Sequence, residues 1–322
     1  MKSKIFGYVC TLFVISAMIL AAELSDEKEI IFPEVAALSV GAFITPRLVW
    51  KTNYIKILVS ISVCALLGVL IVTHVPLPVW VQFFLAFLIG QIVLFVSRTT
   101  FAPLISAISL PVLIQTRSFV YVGAAVVLTI FVCFLSIVLE KLGAKDQNEY
   151  EPVVHESFRE LFDIVFRCGA VFLLSFLCIH FDVRFCVAPP LLVAFTELSR
   201  KSSLALKRPF SVILLFFLCA FFGAVSRFFL CVKLGLPLTL AAFLVAICVL
   251  VLVRIFSFPF PPAAAMSILA MLIPESAVIF YPLQVLLGIC VLVILAFFWR
   301  KCAGEKIEAF ENFRFSLPSI KN

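Results

Sequence analysis

Apolar runs of 14 to 23 residues follow one another from Ile5 to Trp299 with only short polar breaks between them. A helix needs about 20 apolar residues to cross a bilayer, so such a succession can hardly fold in water. Over 322 residues, 64% are hydrophobic and 13% charged, against roughly 45–50% and 25% in soluble domains, and mean hydropathy is +1.22. A soluble globular fold is excluded, and with it a basic soluble surface that would grip nucleic acid.

Breaking the runs at charges and prolines gives segments at 5–22, 32–49, 55–73, 77–97, 101–114 and 118–139, then at 164–181, 185–199, 209–231, 236–256, 260–274 and 277–299. The first, behind Lys2 and Lys4 and ending at Ala21-Ala22, has the outline of a signal peptide. An equivalent run opens the second half, so a membrane helix is expected instead.

The halves read as one duplicated unit. Pro33 and Lys51 match Pro189 and Lys207 at a shift of 156. Val63-Cys64-Ala65-Leu66-Leu67-Gly68 matches Leu218-Cys219-Ala220-Phe221-Phe222-Gly223 at 155. Leu77-Pro78, Phe101 and Pro103 match Leu236-Pro237, Phe260 and Pro262 at 159. The expected fold is therefore all-α: a polytopic membrane protein of two parallel six-segment repeats, about 12 segments, with one short broken segment per repeat. Residues 1–142 form the first repeat and 164–301 the second. A linker at 143–163 leads into an interfacial helix marked by Phe158, Leu161, Phe162 and Val165, and 302–322 form a tail.

Positive charge sets orientation. With the N-terminus inside and every segment crossing, only Lys28, Arg117, Arg184, Arg227 and Lys233 of the 25 Lys and Arg fall outside. Both halves then lie the same way up in a cell membrane, with both termini in the cytoplasm.

The fifth segment of each half is too short to span. From Pro103 to Ile114 and from Pro261-Pro262 to Ile273 the chain is broken by proline, which suits a first helical turn whose N–H groups lack partners. Helix N-termini placed inside a membrane protein offer donors to an anion, and paired short segments point to a transport site. Ser106, Ala107 and Ala263–Ala265 are small enough to let backbone and ligand approach. Arg98 and Arg254 precede the two breaks and supply entry charge, while Glu34 and Glu197 are the leading intramembrane acids. The substrate-binding set is Arg98, Pro103, Ser106, Arg254, Pro261, Pro262, Ala264, Glu34 and Glu197, with Gln91 and Gln284 as weaker polar candidates.

Phe260-Pro261-Pro262-Ala263-Ala264-Ala265 resembles the His-Pro-Pro signature of the HPP family of integral membrane proteins, with Phe260 in the place of the histidine and Phe101-Ala102-Pro103 in the first half. Phe32 through Ala42, then Thr45-Pro46-Arg47 and Gly68, resemble that family's Gly-Ala helix, Pro-Arg loop and following helix. The similarity covers 32–139 and, more weakly, 185–299. It implies a membrane fold and a role in carrying small anions such as nitrite.

Enzymatic motifs are missing: no HExxH, GxSxG, Walker A or GxGxxG occurs. His74, His155 and His180 are scattered, and most of the 11 cysteines sit in apolar runs without metal-ligand spacing. No enzyme, cofactor or metal is expected. The expected partners are membrane lipid and a small anion, a homo-oligomer being compatible with both. Two further functions fit the same segments: export of a larger aromatic or amphipathic acid, and a membrane scaffold or partner subunit.

Overall fold

The computed structural model describes residues 2–153, 157–201 and 203–316, with side chains at 5–153, 159–201 and 203–302. His155 and residues 317–322 lie outside the described residues. The described chain folds into helices joined by turns and loops, without a strand among the described residues.

The helices are α1 (Lys2–Ser25), α2 (Glu34–Ser39), α3 (Tyr54–His74), α4 (Val79–Val96), α5 (Pro103–Ile114), α6 (Phe119–Lys141), α7 (Ser157–His180), α8 (Pro189–Leu198), α9 (Pro209–Ser226), α10 (Leu238–Phe256), α11 (Pro261–Leu272), α12 (Glu275–Val278) and α13 (Tyr281–Ser316). α2 and α9 continue as wider π-type turns, Val40–Ile44 and Arg227–Lys233. Local chemistry fixes the boundaries. Asn53 accepts the Lys56 N–H at 2.8 Å to cap α3, Ser118 caps α6, and proline opens α5, α8, α9 and α11, where its missing N–H costs nothing. Gln115 (φ 55°) and Ser257 (φ 49°) turn left-handed and stop α5 and α10.

Among the described residues eight helices are long and apolar enough to cross a membrane: most of α1, then α3, α4, α6, α7, α9 with its π-type turn, α10 and the first part of α13. Only 33 to 50% of each spanning window is buried. Large apolar side chains such as Phe134, Val127, Phe210 and Phe298 therefore face outward, as lipid contact requires. This is the build of a multi-pass membrane protein.

The four short helices form the centre. α5 from Pro103 to Leu113 and α11 from Pro261 to Met271 are buried without exception, as are α2 and all of α8 but Glu197. They pack in a closed ring, α2 on α5, α5 on α8, α8 on α11 and α11 on α2. Two of them differ from expectation: the segments at 32–49 and 185–199 are short as well, so each half holds two short segments rather than one. The first ends as a helix after Ile44, where Thr45 before Pro46 is extended, although Leu48-Val49-Trp50 prolongs the hydropathy. Ser199 to Lys201 end the second. The expected interfacial helix is also not separate, because α7 runs unbroken from Ser157 into its span with no glycine or proline before Gly169.

Contacts recur between the halves. α3 packs on α5 and α6 as α9 packs on α11 and α13; α1 lies against α10 as α7 lies against α4; α2 meets α11 as α8 meets α5. Gly68 faces the backbone of Ile108, and Gly223 faces that of Ser267. Tyr121 donates to the Ala107 carbonyl at 2.9 Å, and Tyr281 to that of Met266 at 2.7 Å.

The segment ends gather on two faces. On one, the Thr100 N–H meets the Lys51 carbonyl, the Val153 N–H meets that of Arg98, and Arg200 and Arg300 donate to the carbonyls of Thr100 and Ser203. The linker lies along this face, with Tyr150 bonded to Arg98 and Lys56. On the other, Glu23 accepts from Leu238 and Thr239, Gln284 accepts from the Phe185 N–H, and Gln115 donates to Gln82.

Candidate functional site: a buried ring and a cationic cleft

Pro33 opens α2 and places Glu34 in its first turn, where a carboxyl complements the helix dipole. The side chain is 1% exposed. One oxygen, Oε1, accepts from the hydroxyl of Ser106, which lies one turn into α5. The other, Oε2, is buried with no hydrogen-bond partner among the described residues. The hydroxyl of Ser39, further along α2, is likewise buried and unpartnered. Ser106 stands eight residues before Ile114, about 12 Å along the axis, so the pair is set well back from the C-terminal end of α5. Phe32, two residues before Glu34, stands edge to face with Tyr121 at 5.8 Å, and α11, with Ala263, Ala264 and Ala265 buried, packs against α2.

Glu197, on α8, belongs to a different group. Its Oε1 accepts from the indole of Trp50 at 3.0 Å. The Trp50 ring stands perpendicular to Phe101 at 5.2 Å and so close to Gly41 that a Cβ there would collide with it. One tryptophan thus joins the π-type end of α2, the chain entering α5 and the end of α8, and closes the ring toward the face that carries the linker.

On that face a cleft of about 430 Å³ opens. Five cations line it, Lys51, Arg159, Arg167, Arg200 and Lys201, against two acids, Glu160 and Asp163. Arg167 is 5% exposed and held on three sides: by Ser199 at 2.6 Å, by Gln91 at 3.1 Å and by Asp163 at 3.7 Å. Gln91 in turn donates to Thr196 on α8 at 2.9 Å. These contacts fix the guanidinium at the C-terminal end of α8, where positive charge is favoured. Arg159 is 9% exposed, and its Nε is buried without a partner among the described residues. An excess of forked donors in a partly dry cleft is a setting that takes an oxyanion. The opposite face carries a depression of about 390 Å³, lined by Lys28 and Arg117 with Glu29, whose floor includes the ends of α5 and α11 at Ile114 and Leu272.

The structure brings together some of the residues singled out in the sequence and separates others. Glu34 and Ser106 meet. Pro103, Pro261, Pro262 and Ala264 are all buried in the ring. Arg98 and Arg254 are exposed and line neither the cleft nor the opposite depression; Arg98 sits in a left-handed turn (φ 51°) and offers its carbonyl, not its guanidinium, to the linker. Gln284 lies on the opposite face. Sequence reasoning missed Arg159, Arg167 and Arg200, all taken there as topological charge. The available signal was Arg167, an arginine inside an apolar run.

Among the described residues no three His, Cys, Asp or Glu stand together as a metal site would need. Comparison with family models, with curated proteins and with solved structures gives no match to this chain.

Proposed function

We propose that this chain is a transporter or channel for a small anion, built from two parallel six-segment repeats that meet at the ring of short helices. Each short helix, with the chain that adjoins it, makes one crossing, giving twelve in all with both termini in the cytoplasm of a cell. The matched pairs Gly68–Ile108 and Gly223–Ser267, and the matched tyrosine bonds, support the duplication. The resemblance to the HPP family points the same way, toward an anion such as nitrite.

The observation that carries this reading is the cationic cleft seated on a ring helix: it concentrates anions at the place where helices are broken and backbone donors become available. No catalytic step enters it. A second reading, export of a larger aromatic or amphipathic acid, is favoured by the cleft volume of about 430 Å³, which falls in the range of small-molecule pockets. Purified protein in liposomes, tested with nitrite, nitrate, formate and benzoate, separates the possibilities. Flux of the small anions supports the first, benzoate alone supports the second, and no flux of any leaves a scaffold or partner subunit.

A further inference from the structure

An anion path leaves Glu34 as a contradiction, because a buried negative charge in the ring would repel what the cleft attracts. Two unit charges about 4 Å apart at an effective dielectric of about 20 repel strongly enough to lower affinity roughly a thousandfold. The surroundings offer the carboxylate one hydroxyl, from Ser106, and the dipole of α2, but no positive charge among the described residues. α5 and α11 contain no ionisable side chain, and neither does the π-type turn after α2. From α6, Tyr121 commits its hydroxyl to the Ala107 carbonyl. From α3 comes Cys64, a buried free thiol without positive charge. On α1, Tyr8 and Cys10 carry no positive charge, and Glu23 is engaged with Leu238 and Thr239. In the turn before α2, Lys28 is exposed and lines the opposite depression beside Glu29. Among the described residues no cation pairs with Glu34.

We propose that Glu34 binds a proton that is carried together with the anion, which makes the protein an anion–proton symporter. This rests on the anion-path reading above. The step is simple in its balance: the carboxylate takes one proton, becomes neutral, and presents an O–H to the incoming anion in place of a repelling charge. When the anion leaves, the proton leaves with it. Oε2, buried and without a hydrogen-bond partner among the described residues, is the oxygen free to take the proton, while Oε1 already accepts from Ser106. The second half lacks this device. At the repeat shifts of 156 and 159 the positions of Glu34 and Ser106 fall on Pro190 and Ala265, so one proton accompanies each monoanion and the cycle is electroneutral.

The test uses the full chain in liposomes that contain a pH-sensitive dye, with an inward nitrate gradient and protein-free vesicles as background. Wild type should acidify the interior as nitrate enters, at close to one proton per anion, and an imposed pH gradient should drive nitrate uptake. Glu34→Gln should lose proton uptake, and any nitrate flux that remains should no longer depend on pH. Nitrate flux in wild type without proton movement overturns the symport proposal and leaves the anion path standing. Proton uptake retained by Glu34→Gln also overturns it. Absence of anion flux in wild type overturns both. Should Glu34→Gln fail to fold, the wild-type stoichiometry decides alone.

Discussion

Gly68 lies against the carbonyl of Ile108 with no space for a side chain between α3 and α5, and Gly223 stands in the same relation to Ser267 between α9 and α11. Small residues let helices in lipid approach closely. Gly68→Ala and Gly223→Ala should each cost about 1–3 kcal/mol of stability through overpacking. Gly123→Ala, with nothing within 4 Å, should be neutral or gain up to about 1 kcal/mol from helix propensity. Thermal unfolding in detergent distinguishes them, and tolerance of alanine at Gly68 would contradict the packing.

The two tyrosine bonds look alike but differ in weight. The Ala107 carbonyl would ordinarily accept from residue 111, which is Pro111 and has no N–H, so Tyr121 supplies the donor that the proline withholds. The Met266 carbonyl has Ala270 four residues on. Tyr121→Phe should therefore cost about 1–3 kcal/mol, the penalty of a buried unsatisfied carbonyl, and Tyr281→Phe only about 1 kcal/mol. Equal losses in the same unfolding assay would argue against this role for Pro111.

Lys145 follows α6 on the linker face, is 8% exposed, and donates to Ser136 at 3.2 Å. Burial lowers its pKa below the ordinary 10.5, opposed in part by Glu140 and Asp146. Between the lowered folded value and 10.5 the unfolded chain binds more protons than the folded one, so this residue adds stability as pH rises through that window and nothing further above it. The difference in melting temperature between wild type and Lys145→Met, followed on the alkaline side, should shift in favour of wild type as pH increases. A difference that stays flat or moves the other way would show that the ammonium is not buried.

Asp163 is 6% exposed and shares its carboxylate between Arg167 and the indole of Trp299, the latter at 2.6 Å. Removing one partner of a buried pair leaves a charge uncompensated, at about 3–5 kcal/mol. Arg167→Met should show that loss, and adding Asp163→Asn should recover most of it. A double variant no better than the single one would mean that the pair does not act as a unit.

Much of this was legible in the sequence, and the limits have physical causes. The eight long helices follow from apolar length and capping, since Pro78, Asn53 and Ser118 mark boundaries that tertiary contacts do not move. The short α2 and α8 were hidden because Leu48, Val49, Trp50 and the tight turn at Arg184–Val187 before Pro189 are as hydrophobic as the α-helices beside them, and hydropathy does not distinguish an α-helix from other buried backbone. Glu34 and Ser106 stood out separately, as an intramembrane acid and as a small polar residue behind a proline. Their meeting across 72 residues is a property of the ring. The Trp50–Glu197 contact spans 147 residues and leaves no local trace. Arg200 was disguised by its place at a segment end, where arginine ordinarily marks orientation, and Arg167, three residues inside its run, was the one visible exception.

The proposed anion path runs through the ring beside Ser106 and Ala264. The direct measurement is anion flux in liposomes during exposure to a small anionic thiosulfonate, comparing Ser106→Cys and Ala264→Cys with the same chain carrying its own cysteines, most of them buried. The reagent should enter by the cationic cleft, react at either introduced cysteine and stop the flux, while the unmodified chain continues to conduct. Labelling of both cysteines with flux undiminished, or flux that never depends on the protein, would contradict that path.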